Sequence, residues 1–210
     1  MTTKKITLLL SAVLLSCLGI GSAAAATPPI VFVHGYSGAG FNWDTMVSRF
    51  RASGYPGDRL YKFNYSSLIN SNKTSASQLR TFVNDVRNRH GGEKVAIVAH
   101  SNGGLVSRWY RVMLGGSSAN YRFISLGSPH KGTTTAYACF SPACYEMQPY
   151  SGFLRDLAGR GCERSLWSAL DGIILPASSA QCGTSYQTPS IDHLSLLTNS
   201  TVYQMVRNNL

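Results

Sequence analysis

Residues 95–107 read VAIVAHSNGGLVS. Val95 to Ala99 are small or branched and apolar without alternation, the pattern of a central strand covered on both faces. From Leu105 to Met113 the pattern is helical, so the chain must turn sharply between the two. Ser101 stands at the apex of that turn. Such a turn accepts only small residues two positions before and two after its apex, which Ala99 and Gly103 supply. The stretch therefore predicts an α/β architecture with a serine hydroxyl projecting above the end of a sheet.

The flanking sequence agrees. Ile30 to Val33 reads as a strand ending in His34-Gly35. Phe41 to Ala52 is a helix candidate, with Phe41, Met46, Val47 and Phe50 available for its buried side and Gly54, Pro56 and Gly57 closing it. Leu60 to Tyr65 is strand-like. Thr74 to His90 carries Leu79, Phe82, Val83 and Val86 at helical spacing and stops at Gly91-Gly92. Tyr121 to Leu126 is a further strand, 127–164 reads as irregular loops over the sheet end, and Thr201 to Leu210 is a final helix. This alternation favours a mostly parallel sheet flanked by helices. No internal repeat or linker interrupts it, so residues 27–210 are expected to form one catalytic domain.

Residues 1–26 read differently. Lys4 and Lys5 precede an apolar run from Ile6 to about Ile20, and Ala24 to Ala26 offer a small-residue cleavage site, the pattern of a secretory signal peptide. A rival reading makes Cys17 a lipid-modified anchor. An exported chain with Cys139, Cys144, Cys162 and Cys182 is expected to hold two disulfides. Three pairings are open, and Cys139–Cys144 with Cys162–Cys182 closes the shortest loops. No C-x-x-C pair suggests zinc. The formal charge is +10, with Lys4 and Lys5 contributing two of the positive charges. The basic residues are scattered on separate segments, which reads as a soluble cationic surface, suited at most to transient contact with lipid surfaces, and not as a nucleic-acid site.

A serine needs a base to take its proton and an acid to orient that base. After Ser101 the histidines are His130 and His193. His193 is preferred because it follows every plausible acid and precedes the last helix. His130 directly follows a strand and reads as a loop-shaping residue, and His34 and His100 read as structural. Asp171 is the preferred acid, since apolar residues lead into it like a strand and Gly172 lets the chain turn. Asp156 lies in a helix-like segment, and Asp192 adjoins His193 too closely to reach its outer nitrogen. The oxyanion of acyl transfer needs fixed donors. The backbone N–H groups of Asn102, after the serine, and Tyr36, after His34-Gly35, are the candidates.

Together Val33-His34-Gly35-Tyr36, Ala99-His100-Ser101-Asn102-Gly103-Gly104, 126–133 (LGSPHKGT), Asp171-Gly172-Ile173-Ile174 and Asp192-His193 resemble the α/β-hydrolase superfamily, and within it the small secreted bacterial lipases of class 2. Alanine in place of the usual first glycine is characteristic of that group. The resemblance implies hydrolysis of carboxylic esters, often acylglycerols, through an acyl-enzyme and without a cofactor. Ser101 would be nucleophile, His193 base, Asp171 acid, and Tyr36 with Asn102 the oxyanion donors. Polyesters or thioesters are the alternative substrates, and a non-catalytic binding role the alternative class. A chain this short leaves little room for a large lid, although 127–164 could form a partial cover. No obligate protein partner is evident.

Overall fold

Five of the six strands were expected from apolar runs, and all six pair in one direction. The computed structural model describes Thr2 and residues 27–210. The leader expected over residues 1–26, apart from Thr2, lies outside the described residues, and so does the alternative anchor at Cys17. The strands are β1 (Ile30–Val33), β2 (Leu60–Phe63), β3 (Val95–His100), β4 (Asn120–Leu126), β5 (Arg164–Trp167) and β6 (Thr184–Gln187). They form one parallel sheet in the order β2-β1-β3-β4-β5-β6.

The helices are α1 (Asp44–Ala52), α2 (Asn72–Arg89), α3 (Asn102–Met113), α4 (Pro142–Met147), α5 (Gly152–Asp156) and α6 (Ser200–Asn208). Strand periodicity of two divides the core between the two faces of the sheet. Val31, Val33, Ile97 and Phe123 pack with Leu79 and Val83 of α2 and Leu105 and Trp109 of α3. Ile30, Phe32, Val98 and Ile124 pack with Met46 and Phe50 of α1 and Val202 and Val206 of α6. The central strands β1 and β3 are buried along their whole length, which explains their unalternating apolar sequence.

Several boundaries differ from expectation for identifiable reasons. The first helix begins as a 3₁₀ turn, Gly40–Trp43, and Phe41 points outward instead of into the core, where Trp43 sits. β2 stops at Phe63, two residues early, because Tyr65 turns inward against His34. The strand expected to lead into Asp171 ends at Trp167, and residues 168–171 form the turn. β6 is a polar, largely exposed edge strand, so no apolar pattern announced it. The segment 127–164 contains α4 and α5, and Met147, Phe153, Leu154 and Leu157 pack into the core on the α2–α3 face. The expected disulfides join Cys139 to Cys144 and Cys162 to Cys182, with Cα atoms 5.8 and 5.3 Å apart. The second closes the segment that carries Asp171, but at the end of the sheet far from the site, just before the paired starts of β5 and β6. Among the described residues no helix is long and apolar enough to cross a membrane.

Candidate active site

All six strands point their C-terminal ends to one edge, and the serine, the histidine and the aspartate converge there. β3 ends at His100 and α3 starts at Asn102, leaving Ser101 alone to make the turn at φ 53° and ψ −130°. That is a sparsely populated conformation for a residue with a Cβ. The turn is held on both sides. Ser101 N–H donates to Leu126 O at 2.9 Å, and Gly104 N–H donates to Ser101 O at 3.0 Å. A Cβ on Gly103 would collide with the carbonyl oxygens of Val33 and His34, and one on Gly35 would lie 2.7 Å from Ser101 Cβ. The two glycines thus let the serine turn and the loop after β1 close on each other.

His193 Nδ1 lies 2.8 Å from Asp171 Oδ2, with both side chains buried. The other carboxylate oxygen, Oδ1, accepts the backbone N–H groups of Ile173 and Ile174 at 3.0 and 2.9 Å. Burial pushes the Asp171 carboxyl up, but the His193 hydrogen bond and charge and the two N–H groups outweigh it, so it stays below the ordinary carboxylate range. Ser168 ties the two loops together: its hydroxyl donates to Ile191 O at 2.5 Å and accepts the Ile191 N–H at 3.0 Å. Ser101 and His193 are not hydrogen-bonded to each other, and such contacts commonly tighten only with substrate.

Asp192 plays a different part. Its Oδ1 accepts the N–H groups of Leu194 and Ser195, each at 3.0 Å, which fixes the turn carrying His193. Asp156 is exposed and faces Lys73 at 3.8 Å, away from the site. His34, His100 and His130 act as spacers. His100 Nε2 donates to His193 O at 3.0 Å, while burial, with His193 beside it, pushes its imidazole down to about 3. His34 Nδ1 donates to Gly35 O at 2.8 Å and its Nε2 accepts the Tyr65 N–H at 3.3 Å, and burial lowers its pKa. His130 is buried between Ser125 and Arg108, as its loop-shaping reading anticipated, and burial lowers it strongly.

A cavity of about 700 Å³ opens here, lined by Tyr36, Ser101, Ile173, His193, Leu194 and Leu197 among others. The backbone N–H groups of Tyr36 and Asn102 have no acceptor among the described residues. Asp192 is the one carboxylate in the lining, and no lysine or arginine joins it. None of the lining residues comes from 127–164, so that segment packs beside the site and is not the partial cover it could have been. Two contributors escaped the sequence reading. Ser168 joins loops far apart in the chain. Gly127, at φ 52°, passes so close to the acid–base pair that a Cβ would lie 2.8 Å from Asp171 Oδ2.

The arrangement has parallels. The family model described as Lipase (class 2) matches residues 27–209. The crystal structure of the mature form of Bacillus licheniformis lipase BlEst2 superposes with a TM-score of 0.75 at 19% identity, covering 88% of this chain and 92% of that one. Aspergillus fumigatus lipase B gives 0.72 at 16% identity, over 85% of this chain and 51% of that one. MGS-MChE2, an α/β-hydrolase enzyme from the metagenome of lagoon sediments at Mar Chica, Morocco, gives 0.60 at 16% identity, over 86% and 89%. At these identities the structural likenesses establish the α/β-hydrolase fold.

Proposed function

Because this chain belongs to the class 2 lipase family, we propose that it hydrolyses carboxylic esters of the acylglycerol type through an acyl-enzyme on Ser101. The observation that carries the reading is a convergence at one cavity: Tyr36, Ser101 and His193 line it, Asp171 is bonded to His193 from behind, and Asn102 directly follows the strained Ser101 turn. His193 Nε2 takes the Ser101 proton as Oγ attacks the ester carbonyl. The carbonyl oxygen becomes an oxyanion received by the N–H groups of Tyr36 and Asn102. His193 returns the proton to the leaving alcohol, and a water activated by the same imidazole releases the acid. Asp171 holds the imidazole with Nδ1 protonated and offsets the charge that His193 gains. The mainly uncharged cavity suits a neutral acyl chain.

The surroundings of the cavity favour water-insoluble esters. Two of the large apolar side chains exposed on the described surface, Ile173 and Leu194, line the cavity itself. Phe41, next to the lining residue Asn42, and Leu175, two residues after Ile173, are exposed as well. Exposed apolar side chains at a cavity mouth suit transient contact with a lipid phase. Export through the expected signal peptide, with both disulfides formed, would bring the protein to such substrates outside the cytoplasm.

Hydrolysis of a chromogenic ester series, from two-carbon to sixteen-carbon acyl chains, tests the reading. The short soluble esters should be turned over without a lipid surface, since no segment closes the cavity. Ser101→Ala should lower kcat by about 10⁴-fold or more while leaving the thermal melt unchanged. Turnover surviving in that variant would reject the serine mechanism.

A further inference from the structure

Behind the serine turn lies a set of buried polar side chains to which the mechanism above gives no task. Asn72 opens α2 and Asn102 opens α3, and both are fully buried. Asn102 Nδ2 donates to Asn72 Oδ1 at 2.7 Å. Asn72 is itself anchored, because Glu146 Oε2 on α4 accepts its backbone N–H at 2.5 Å. Burial pushes the Glu146 carboxyl up, against the pull of that N–H and of Lys73. Tyr65 stands on the other side of Asn102. Its hydroxyl donates to His34 O at 2.8 Å, and burial pushes the phenol up against the opposing effect of the Asn102 amide. Glu146, Asn72 and Asn102 are thus linked by hydrogen bonds behind the serine turn, and Tyr65 is bonded to His34 in the loop after β1.

Stability alone does not account for this set. Asn72 Nδ2 and Asn102 Oδ1 are buried without partners, and unpaired buried amides are costly. Apolar residues of similar volume would join α2 to α3 at least as well. The amide pair adds direction. Asn102 is followed by Gly103 and Gly104, whose backbones are the freest to rotate, and preceded by the strained Ser101. A side-chain hydrogen bond to a fixed helix end adds a restraint on the Asn102 peptide to the backbone hydrogen bonds that hold the turn on either side.

We propose that Asn72 is a positioning residue for ester hydrolysis, holding the Asn102 side chain so that the Asn102 N–H stays aimed at the oxyanion. This rests on the reading of Ser101 as the nucleophile. Asn72→Ala should lower kcat on a soluble short ester by about tenfold to a hundredfold, with KM within about twofold. A boronic acid inhibitor, whose tetrahedral adduct places an oxygen in the same hole, should bind more weakly by a similar factor. Ser75→Ala serves as control. Its hydroxyl is buried on the same helix without a partner, and kcat should be unchanged. In an Asn102→Ala background, Asn72→Ala should cause no further loss, because both substitutions remove the same bond. Should Asn72→Ala fail to fold, Asn72→Ser removes the same reach, with the same outcomes expected. A lowered melting temperature with unchanged kcat, or a loss that multiplies with that of Asn102→Ala, would overturn the proposal. Full turnover by Ser101→Ala would instead overturn the site reading on which it stands.

Discussion

Gly127 sits where β4 hands the chain to the site, at a positive φ and against the acid–base pair. Alanine there would meet Leu196 Cδ1 at 2.7 Å and Asp171 Oδ2 at 2.8 Å, besides costing about 1–2 kcal/mol for the left-handed backbone. Gly127→Ala is expected to lower both kcat/KM and the melting temperature, since the imidazole must move as the backbone strains. Ester turnover and a thermal melt check this, and an active variant of normal stability would show that the pair has room to shift. Ser101, His193 and Asp171, proposed as the triad, could be picked out because each lies in a local pattern: the strand-to-helix turn, the late Asp-His, the Asp-Gly after an apolar run. Gly127, Ser168 and Asn72 were not readable as parts of the site, because what each does depends on a partner distant in sequence. Ser168 meets Ile191, 23 positions on, and Asn72 meets Asn102, 30 positions on. Phe41 misled for the opposite reason: it fits the helical stripe, but the 3₁₀ start rotates Trp43 inward instead.

Elements were readable in proportion to their burial. β1 and β3 are covered on both faces, and α2 shows one continuous apolar stripe, so composition announces them. β6 is held by pairing with β5 and by the Cys162–Cys182 bridge more than by apolar contact, and its sequence carries no trace of that. The two bridges should accordingly differ in weight. A loop of about 20 residues loses more denatured-state freedom than one of 5, so removing Cys162–Cys182 by paired alanines should cost about 3 kcal/mol and removing Cys139–Cys144 about 2 kcal/mol. Urea midpoints of the two double variants measure the difference. The reverse ranking would mean that β6 stays docked without its staple and that the strap around α4 bears more of the fold.

For the whole molecule, the buried neutral histidines set a limit in acid. His34, His100 and His130 are all shifted down by burial, His100 to about 3. In the unfolded chain each would take a proton near 6.5. Below that pH the unfolded state binds more protons than the native state, so stability falls as pH falls. Each such histidine contributes about 1.4 kcal/mol per pH unit until its native pKa is reached, and above pH 6.5 the three add no slope. Denaturant midpoints at pH 7, 5.5 and 4.5 should decline steadily. His100→Gln should flatten the decline, provided that the variant folds. Midpoints that stay level to pH 4.5 would mean that these imidazoles gain protons without unfolding the protein.

The apolar side chains at the cavity also give the molecule a pole. Ile173 and Leu194 are exposed in the wall of the cavity, with Phe41 and Leu175 close by in sequence. A molecule with apolar side chains at its opening is drawn to a boundary between oil and water with that opening toward the oil. Molecules held there face what they are proposed to cut.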